Sequence, residues 1–240
     1  RKLSGMISVI IPVLNEGQWI TYCIEQLKHQ NGAFEVIVSD GGSTDGTLER
    51  VSELKNLSFP CTVVSGDKGR ANQLNRGAQA AKGEVLLFLH VDCELPPNAF
   101  KSVEQFLSDP QCIGGGFQKK YNPENILMRL YRIMINTIRT LWLRNLVGTN
   151  AIFVRSRVFH QLGGFKQVSL LEDVIFCDAM KKAGRMVIIK DPVIVSSRRY
   201  FSSGIVKRIG IAAEVIIRFR VLGASPEELE MRYHRRMKKR

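Results

Sequence analysis

An α/β fold with a doubly wound, mostly parallel mixed sheet is what this 240-residue sequence predicts. Three observations carry that expectation. Short apolar, β-branched runs at residues 7–13, 36–39, 61–65 and 85–89 alternate with segments of helical pattern. Residues 85–89 are apolar without a break, which marks a strand buried on both faces of a sheet. Acidic residues stand just past three of these runs, at Glu16, Asp40 and Asp92. An open α/β sheet gathers its ligand at such strand ends.

The elements can be taken in order. After the first strand, Asn15-Glu16-Gly17 turns the chain into a helix over residues 18–30. The second strand runs into Asp40-Gly41-Gly42-Ser43-Thr44-Asp45-Gly46-Thr47, whose glycines permit close backbone approach to a ligand. Asp45 is placed to cap a helix reaching residue 55. A third strand at 61–65 leads to a helix of small residues over 69–82, bounded by Gly83. The strand at 85–89 then ends in His90-Val91-Asp92, and Pro96-Pro97 stops further pairing. Held extended, His90 and Asp92 point to one side and offer an imidazole nitrogen and a carboxylate to a divalent ion. The plainer alternative is that Asp92 caps a helix beginning near residue 97.

The second half is more mixed. It predicts a helix over 97–107, a strand opening at Gly114-Gly115-Gly116-Phe117, and an amphipathic helix over 126–146. In that helix Arg129, Arg132, Asn136 and Arg139 fall on one side of an otherwise apolar cylinder. A strand at 151–155 and a short helix at 157–162 come next, stopped by Gly163-Gly164. Glu172-Asp173 opens a helix to 183, where a carboxylate can act as a general base or merely cap the first turn. A strand at 186–189 and a helix at 205–222 carrying Lys207, Arg208, Arg218 and Arg220 complete the pattern, and the basic tail 231–240 reads as loosely ordered. The expected division is a domain over 6–190, with the amphipathic helix and basic tail of 191–240 packed on or beside it. Met6 reads as the start, with Arg1 to Gly5 ahead of it.

Composition narrows the class. The five cysteines are scattered without a C-x-x-C pair, which suits reduced thiols in a cytosolic protein. No leader peptide opens the chain, and no apolar run reaches the roughly 18–20 residues that span a bilayer. The net charge of +13 is uneven: residues 1–110 hold 10 Lys/Arg against 13 Asp/Glu, and residues 111–240 hold 25 against 9. A catalytic half and a half facing something anionic are implied. Basic and aromatic residues do not interleave in the stacking manner of nucleic-acid binders, so an anionic membrane surface is the expected partner and nucleic acid is not. There is no G-x-x-x-x-G-K-[ST], no G-x-G-x-x-G after the first strand and no G-x-S-x-G elbow. These gaps argue against P-loop NTPases, dinucleotide oxidoreductases and serine hydrolases.

Five stretches taken together resemble family-2 glycosyltransferases of the GT-A fold, in particular small single-domain bacterial members. They are Ser8 to Glu16 (SVIIPVLNE), Val36 to Thr47 (VIVSDGGSTDGT), Gly69 to Gly77 (GRANQLNRG), Phe88 to Asp92 (FLHVD) and Leu171-Glu172-Asp173. The resemblance implies that Pro12, Glu16 and Asp40 line a nucleotide pocket, with Asp40 near the base. It implies that Gly69 and Arg70 lie by the nucleotide or its diphosphate. Asp92 matches the last acid of the family's Asp-x-Asp metal motif, and Asp173, beside Glu172, matches the base that deprotonates the acceptor. His90 stands where the commoner pattern has its first Asp, a departure that removes one negative charge from the Mn²⁺ or Mg²⁺ site.

The resulting expectation is an inverting transfer of sugar from a UDP- or GDP-linked donor to an acceptor hydroxyl, at the inner face of the cell membrane. A nucleotidyltransferase is the first alternative, although Pro12 to Gly17 lacks the lysine its phosphate loop needs. A non-catalytic nucleotide- or membrane-binding module of the same fold is the second. A homodimer stays open.

Overall fold

The computed structural model describes residues 5–142 and 144–238. Its strands are β1 (Ile7–Val13), β2 (Phe34–Asp40), β3 (Cys61–Ser65), β4 (Val85–Phe88), β5 (Cys93–Glu94), β6 (Cys112–Asn122), β7 (Phe153–Arg155) and β8 (Arg185–Ser196). They form one eight-stranded sheet in the order β3-β2-β1-β4-β7-β6-β8-β5. β1 pairs in parallel with β2 and β4, β2 with β3, and β6 with β8, whereas β7 and β5 run antiparallel to their neighbours. The helices are α1 (Gly17–Glu25), α2 (Thr47–Ser52), α3 (Arg70–Ala80), α4 (Ala99–Leu107), α5 (Ile126–Met134), α6 (Ser156–Gln161), α7 (Glu172–Ala183), α8 (Arg198–Ser203), α9 (Ile205–Val221) and α10 (Pro226–Lys238).

The two-residue period of a strand sends alternate side chains to opposite faces. Ile7, Val9 and Ile11 join Ile20 of α1, Phe100 of α4 and Tyr131 of α5 in one core. Ile10, Ile37, Leu86 and Phe88 join Leu74 of α3, Phe159 of α6 and Phe176 of α7 in the other. Both faces are therefore covered, as the unbroken apolar runs require. Each such aliphatic or aromatic chain contributes about 1.5–3 kcal/mol on burial. A third, smaller core sets Ile211 and Val215 of α9 and Leu229 of α10 against Leu171 and Val174 at the start of α7.

The structure corrects three expectations in the second half. β8 does not stop at residue 189. Its register with β6 passes from Phe117↔Ile189 to Lys119↔Val193, so a bulge absorbs Lys190-Asp191-Pro192 and the strand continues past them. The amphipathic segment is α-helical only through Met134 and continues as a π-helix over Ile135–Trp142. Its supposed polar side is split. Asn136 turns inward and exchanges two hydrogen bonds with the Lys119 backbone, Arg132 pairs with Glu124 at 2.8 Å, and the Arg139 side chain lies outside the described residues. The tail, expected to be loose, is helical over its described residues 231–238, as part of α10.

The triple glycine of β6 is a packing requirement. A Cβ on Gly115 would overlap the Val187 carbonyl and the Phe153 ring, and one on Gly114 would overlap the Phe153 carbonyl. Backbone atoms of paired strands cannot give way as a flexible side chain does. Gly115→Ala is expected to lower unfolding stability by about 3 kcal/mol. A urea denaturation curve showing a loss under about 1 kcal/mol would mean that the strands can part at this point.

Candidate functional site

The loops after β1 and β2 are sewn together before any functional group is considered. Asn15, in the left-handed region at φ 55°, donates its amide to Ser43 Oγ and accepts from Thr44 N, both at 2.9 Å. Asp45 accepts from the amides of Gly17 (3.0 Å) and Thr47 (3.1 Å), and bonding to the Thr47 hydroxyl holds its carboxyl below the usual range. Gly46 rather than Asp45 occupies the cap position of α2. From α3, the buried Gln73 amide donates to Val13 O (2.6 Å) and Ser39 O (3.2 Å), clamping the ends of both strands. Pro12 lies beside Ser39 in this register, next to the Val13↔Asp40 pair. Asp40 is buried, and its carboxylate accepts from Gly42 N (2.8 Å) and Ser43 N (3.1 Å). Its acceptor capacity is thus largely engaged by its own loop.

Glu16 is not a helix-dipole partner alone, because its carboxylate is held by two arginines from α8. Arg198 Nη2 lies 3.1 Å from Oε2 and Arg199 Nη2 lies 3.0 Å from Oε1. Arg199 also reaches Asp92, with Nε 3.9 Å from Oδ2. The Asp92 side chain is 11% exposed and makes no bond to α4, whose cap position is taken by Asn98. The capping alternative for Asp92 therefore fails on geometry.

His90 sits between these groups and the second acidic pair. Burial, reinforced by Arg70, pushes its imidazolium pKa down to about 4, so the ring is neutral near pH 7. Its Nε2 is buried without a hydrogen-bond partner and faces Gly148, where a Cβ would overlap it. The Gly148 amide in turn donates to Asp173 Oδ2 at 2.7 Å.

The second pair opens α7 immediately after Leu171, whose φ of 69° is costly for a residue with a Cβ. Asp173 Oδ1 accepts from Val174 N at 2.7 Å, so one oxygen serves the first turn while the other is tied to Gly148. Glu172 is buried to 2% exposure and lies 3.1 Å from Arg70 Nη1. Burial raises its carboxyl pKa against the pull of Arg70. Gly69, at φ 126°, is the cap residue that sets Arg70 at the head of α3.

Glu16, Asp92, Glu172 and Asp173 thus converge with Arg70 and His90 at one end of the sheet, and Pro12 and Asp40 flank them on the joined loops. Arg198, Arg199 and Gly148 complete the arrangement and were not singled out from the sequence. The arginine pair had a signal of the same kind as the acids, since it stands just past the end of a strand. That strand's end was hidden by the Pro192 bulge.

Among the described residues, no group of three or more His, Cys, Asp or Glu could hold an ion unaided. The pair is not held extended as expected: β4 ends at Phe88, and His90 to Cys93 form a turn closed by Cys93 N donating to His90 O at 3.0 Å. What suits an ion here is the chemistry of the donors, the partner-free His90 Nε2 and the Asp92 carboxylate, with the rest of the shell left to phosphate oxygens and water, the habit of Mg²⁺ and Mn²⁺.

Comparison with known proteins identifies the family. Residues 8–172 match the family described as Glycosyl transferase family 2. An uncharacterised glycosyltransferase of Haemophilus influenzae is 29% identical over 187 residues, covering 71% of this chain and 60% of its own. The PGL/p-HBAD biosynthesis glycosyltransferase of Mycobacterium tuberculosis is 38% identical over 93 residues, covering 38% of this chain and 36% of its own. The chain therefore spans less than two thirds of the length of these relatives. Among solved structures, the Pyrobaculum calidifontis mannosyltransferase PcManGT, in complex with GDP-Man and Mn²⁺, superposes with a TM-score of 0.66 at 20% identity, over 80% of this chain and 56% of that one. S. aureus TarS 1-349 in complex with UDP-GlcNAc gives 0.65 at 20% identity, over 80% and 58%. The fold is GT-A, and the match over most of the motif-bearing sequence shows that this chain belongs to glycosyltransferase family 2.

Proposed function

We propose that the chain transfers a sugar from a UDP- or GDP-linked donor to an acceptor hydroxyl with inversion at the anomeric carbon. The observation that carries this is the convergence of Asp92, His90, Arg70 and Asp173 on one sheet edge. Asp173 Oδ2 is held in place by the Gly148 amide next to the unpartnered His90 nitrogen. In the reaction the acceptor oxygen bonds to the anomeric carbon as the bond to the diphosphate oxygen breaks. The electron pair leaves with the diphosphate, and the hydroxyl proton passes to Asp173. Arg70 is placed to face developing phosphate charge, and its pairing with Glu172 fixes its direction. A Mn²⁺ or Mg²⁺ ion held by Asp92 and His90 would supply charge neutralisation for the leaving diphosphate. Thermal shift with a panel of nucleoside diphosphates, with and without Mn²⁺, tests the reading. UDP or GDP should raise the melting temperature, and more so with Mn²⁺. No shift with any nucleoside diphosphate would remove the donor site.

Within this reading the glycosyltransferase unit runs past the expected boundary at 190 to the end of β8 at Ser196, and α8 to α10 pack on it, with α8 lending Arg198 and Arg199 to the donor site. We also propose an anionic membrane surface as partner. Ile126, at 80% exposure, Leu130, Ile133 and Met134 line the outer side of α5 and Ile138 extends the stripe, while Met128 and Tyr131 face the sheet. Val206, Ile217 and Val221 are exposed on α9. Several cations expected at the head groups are instead engaged within the fold, Arg218 with Glu214 and Arg220 with Asp178, so the apolar stripe is the main attachment. A second copy on the same face would oppose one strongly basic half to another, which disfavours the homodimer. In liposome sedimentation the protein should pellet with anionic vesicles at low salt. Ile133→Asp should release it by about 10-fold or more. Wild-type protein left in the supernatant would end the membrane reading. No helix among the described residues is long and apolar enough to cross a bilayer.

A further inference from the structure

The acids that the donor site needs are already answered by cations of the chain itself. Arg199 bridges two carboxylates that lie 76 positions apart in sequence, Glu16 at 3.0 Å and Asp92 at 3.9 Å. Its neighbour Arg198 takes the other oxygen of Glu16 and lies over the Trp19 ring, 4.2 Å from the centroid. The segment that delivers them is fixed from behind. Ser197 donates its amide to Asn122 O at 3.0 Å and its hydroxyl to Pro123 O at 2.5 Å. Tyr200 packs on Tyr121 and Tyr131 with ring centroids 5.5 and 6.0 Å away. The two arginines differ in how firmly they are held. Arg198 is mostly covered and pinned to Trp19, whereas the Arg199 side chain is 52% exposed and touches Asp92 only loosely.

We propose that Arg199 is a resident counter-cation of the donor site that competes with the divalent ion for Asp92 and must draw off toward Glu16 for the ion to enter. The inference rests on the reading of Asp92 as the metal carboxylate. The physical reason is charge. A divalent ion bound to Asp92 would lie within several ångströms of a guanidinium, and that repulsion is only partly screened where Asp92 is nearly buried. The missing first Asp of the motif sharpens the competition. With a histidine in its place, which carries no negative charge, Asp92 is the one carboxylate that ion and guanidinium share. Arg198, which touches Glu16 and not Asp92 and lies over Trp19, has no such role.

The test is a titration of the full chain with Mn²⁺, alone and with UDP or GDP present to complete the ion's shell, following the electron paramagnetic resonance signal of the free ion. Arg199→Gln should bind Mn²⁺ on the order of 10-fold more tightly than the wild type. Arg199→Lys keeps the charge and should stay near wild type, and Arg198→Gln should move affinity less than Arg199→Gln. Arg199→Met, an apolar chain of similar reach, gives a second removal of charge should the glutamine variant fold poorly. Mn²⁺ affinity unchanged, weakened or absent in the charge-removing variants would overturn the proposal. Binding of UDP or GDP without Mn²⁺, measured on the same proteins, separates the two readings. Tighter Mn²⁺ with no nucleotide binding keeps the counter-cation and loses the donor site, whereas nucleotide binding with unmoved Mn²⁺ affinity does the reverse.

Discussion

Asp173→Asn is expected to cut sugar transfer by about 10²- to 10⁴-fold while nucleotide binding persists. The substitution keeps shape and removes the proton acceptor. It also has a structural consequence that the geometry defines. Asp173 accepts from two backbone amides, Gly148 N and Val174 N, each at 2.7 Å. An asparagine has one acceptor oxygen, so one of these buried amides loses its partner, at about 1–3 kcal/mol. The variant should therefore melt somewhat earlier and still be folded at assay temperature. Turnover to a genuine acceptor near the wild-type rate would return Glu172-Asp173 to a merely structural role at the start of α7.

Asp92→Ala is expected to weaken binding of the metal-nucleotide complex by about 10²-fold or more, judging from what even outer-shell changes cost at metal sites. The fold should not suffer, because among the described residues the carboxylate makes a weak bond from the Cys93 thiol at 3.7 Å and the loose contact with Arg199 and nothing stronger. In a thermal-shift series the added stabilisation from Mn²⁺ in the presence of UDP or GDP should vanish. The nucleotide's own effect through the joined β1 and β2 loops should remain. A variant that responds to Mn²⁺ and nucleotide as the wild type does would take Asp92 out of the site.

The first half of the fold was legible because β1, β2 and β4 are buried on both faces and the strands are punctuated by Gly, Pro and Asp. The ends of β1 and β3 fall where the apolar runs end, and β4 stops one residue sooner. The acids at the strand ends were legible for the same reason, since topology brings such ends together whatever their spacing in sequence. The second half hid more. Lys190-Asp191-Pro192 carries a turn signature that pairing with β6 overrides as a bulge, and this concealed both the end of β8 and the arginine-bearing α8 beyond it. The tail was misread from charge alone, although it held a readable start signal. Ser225-Pro226-Glu227-Glu228 is a capping box with proline at the first helical position, and the Ser225 and Glu228 side chains bond each other's amides at 3.2 and 3.3 Å. Leu229, one residue further on, is buried against α7 and α9. The partnership of Arg198 and Arg199 with Glu16 could not be read. Their place just past a strand end was the one local signal, and with that end hidden nothing tied the pair to a carboxylate more than 180 residues away.

The central claim is that a nucleotide-linked donor occupies the edge where β1, β2 and β4 end. Hydrogen exchange with and without UDP or GDP and Mn²⁺ reads that location directly. Amide protection should rise at residues 14–17, 40–47, 66–70 and 90–93, where the loops carrying Glu16, Asp40, Arg70 and Asp92 lie. It should stay unchanged in the cleft between α9 and α10 lined by Val206, Lys207, Ile211 and Arg236. Protection confined to that cleft, or absent with every nucleoside diphosphate, would contradict the assignment of the donor site.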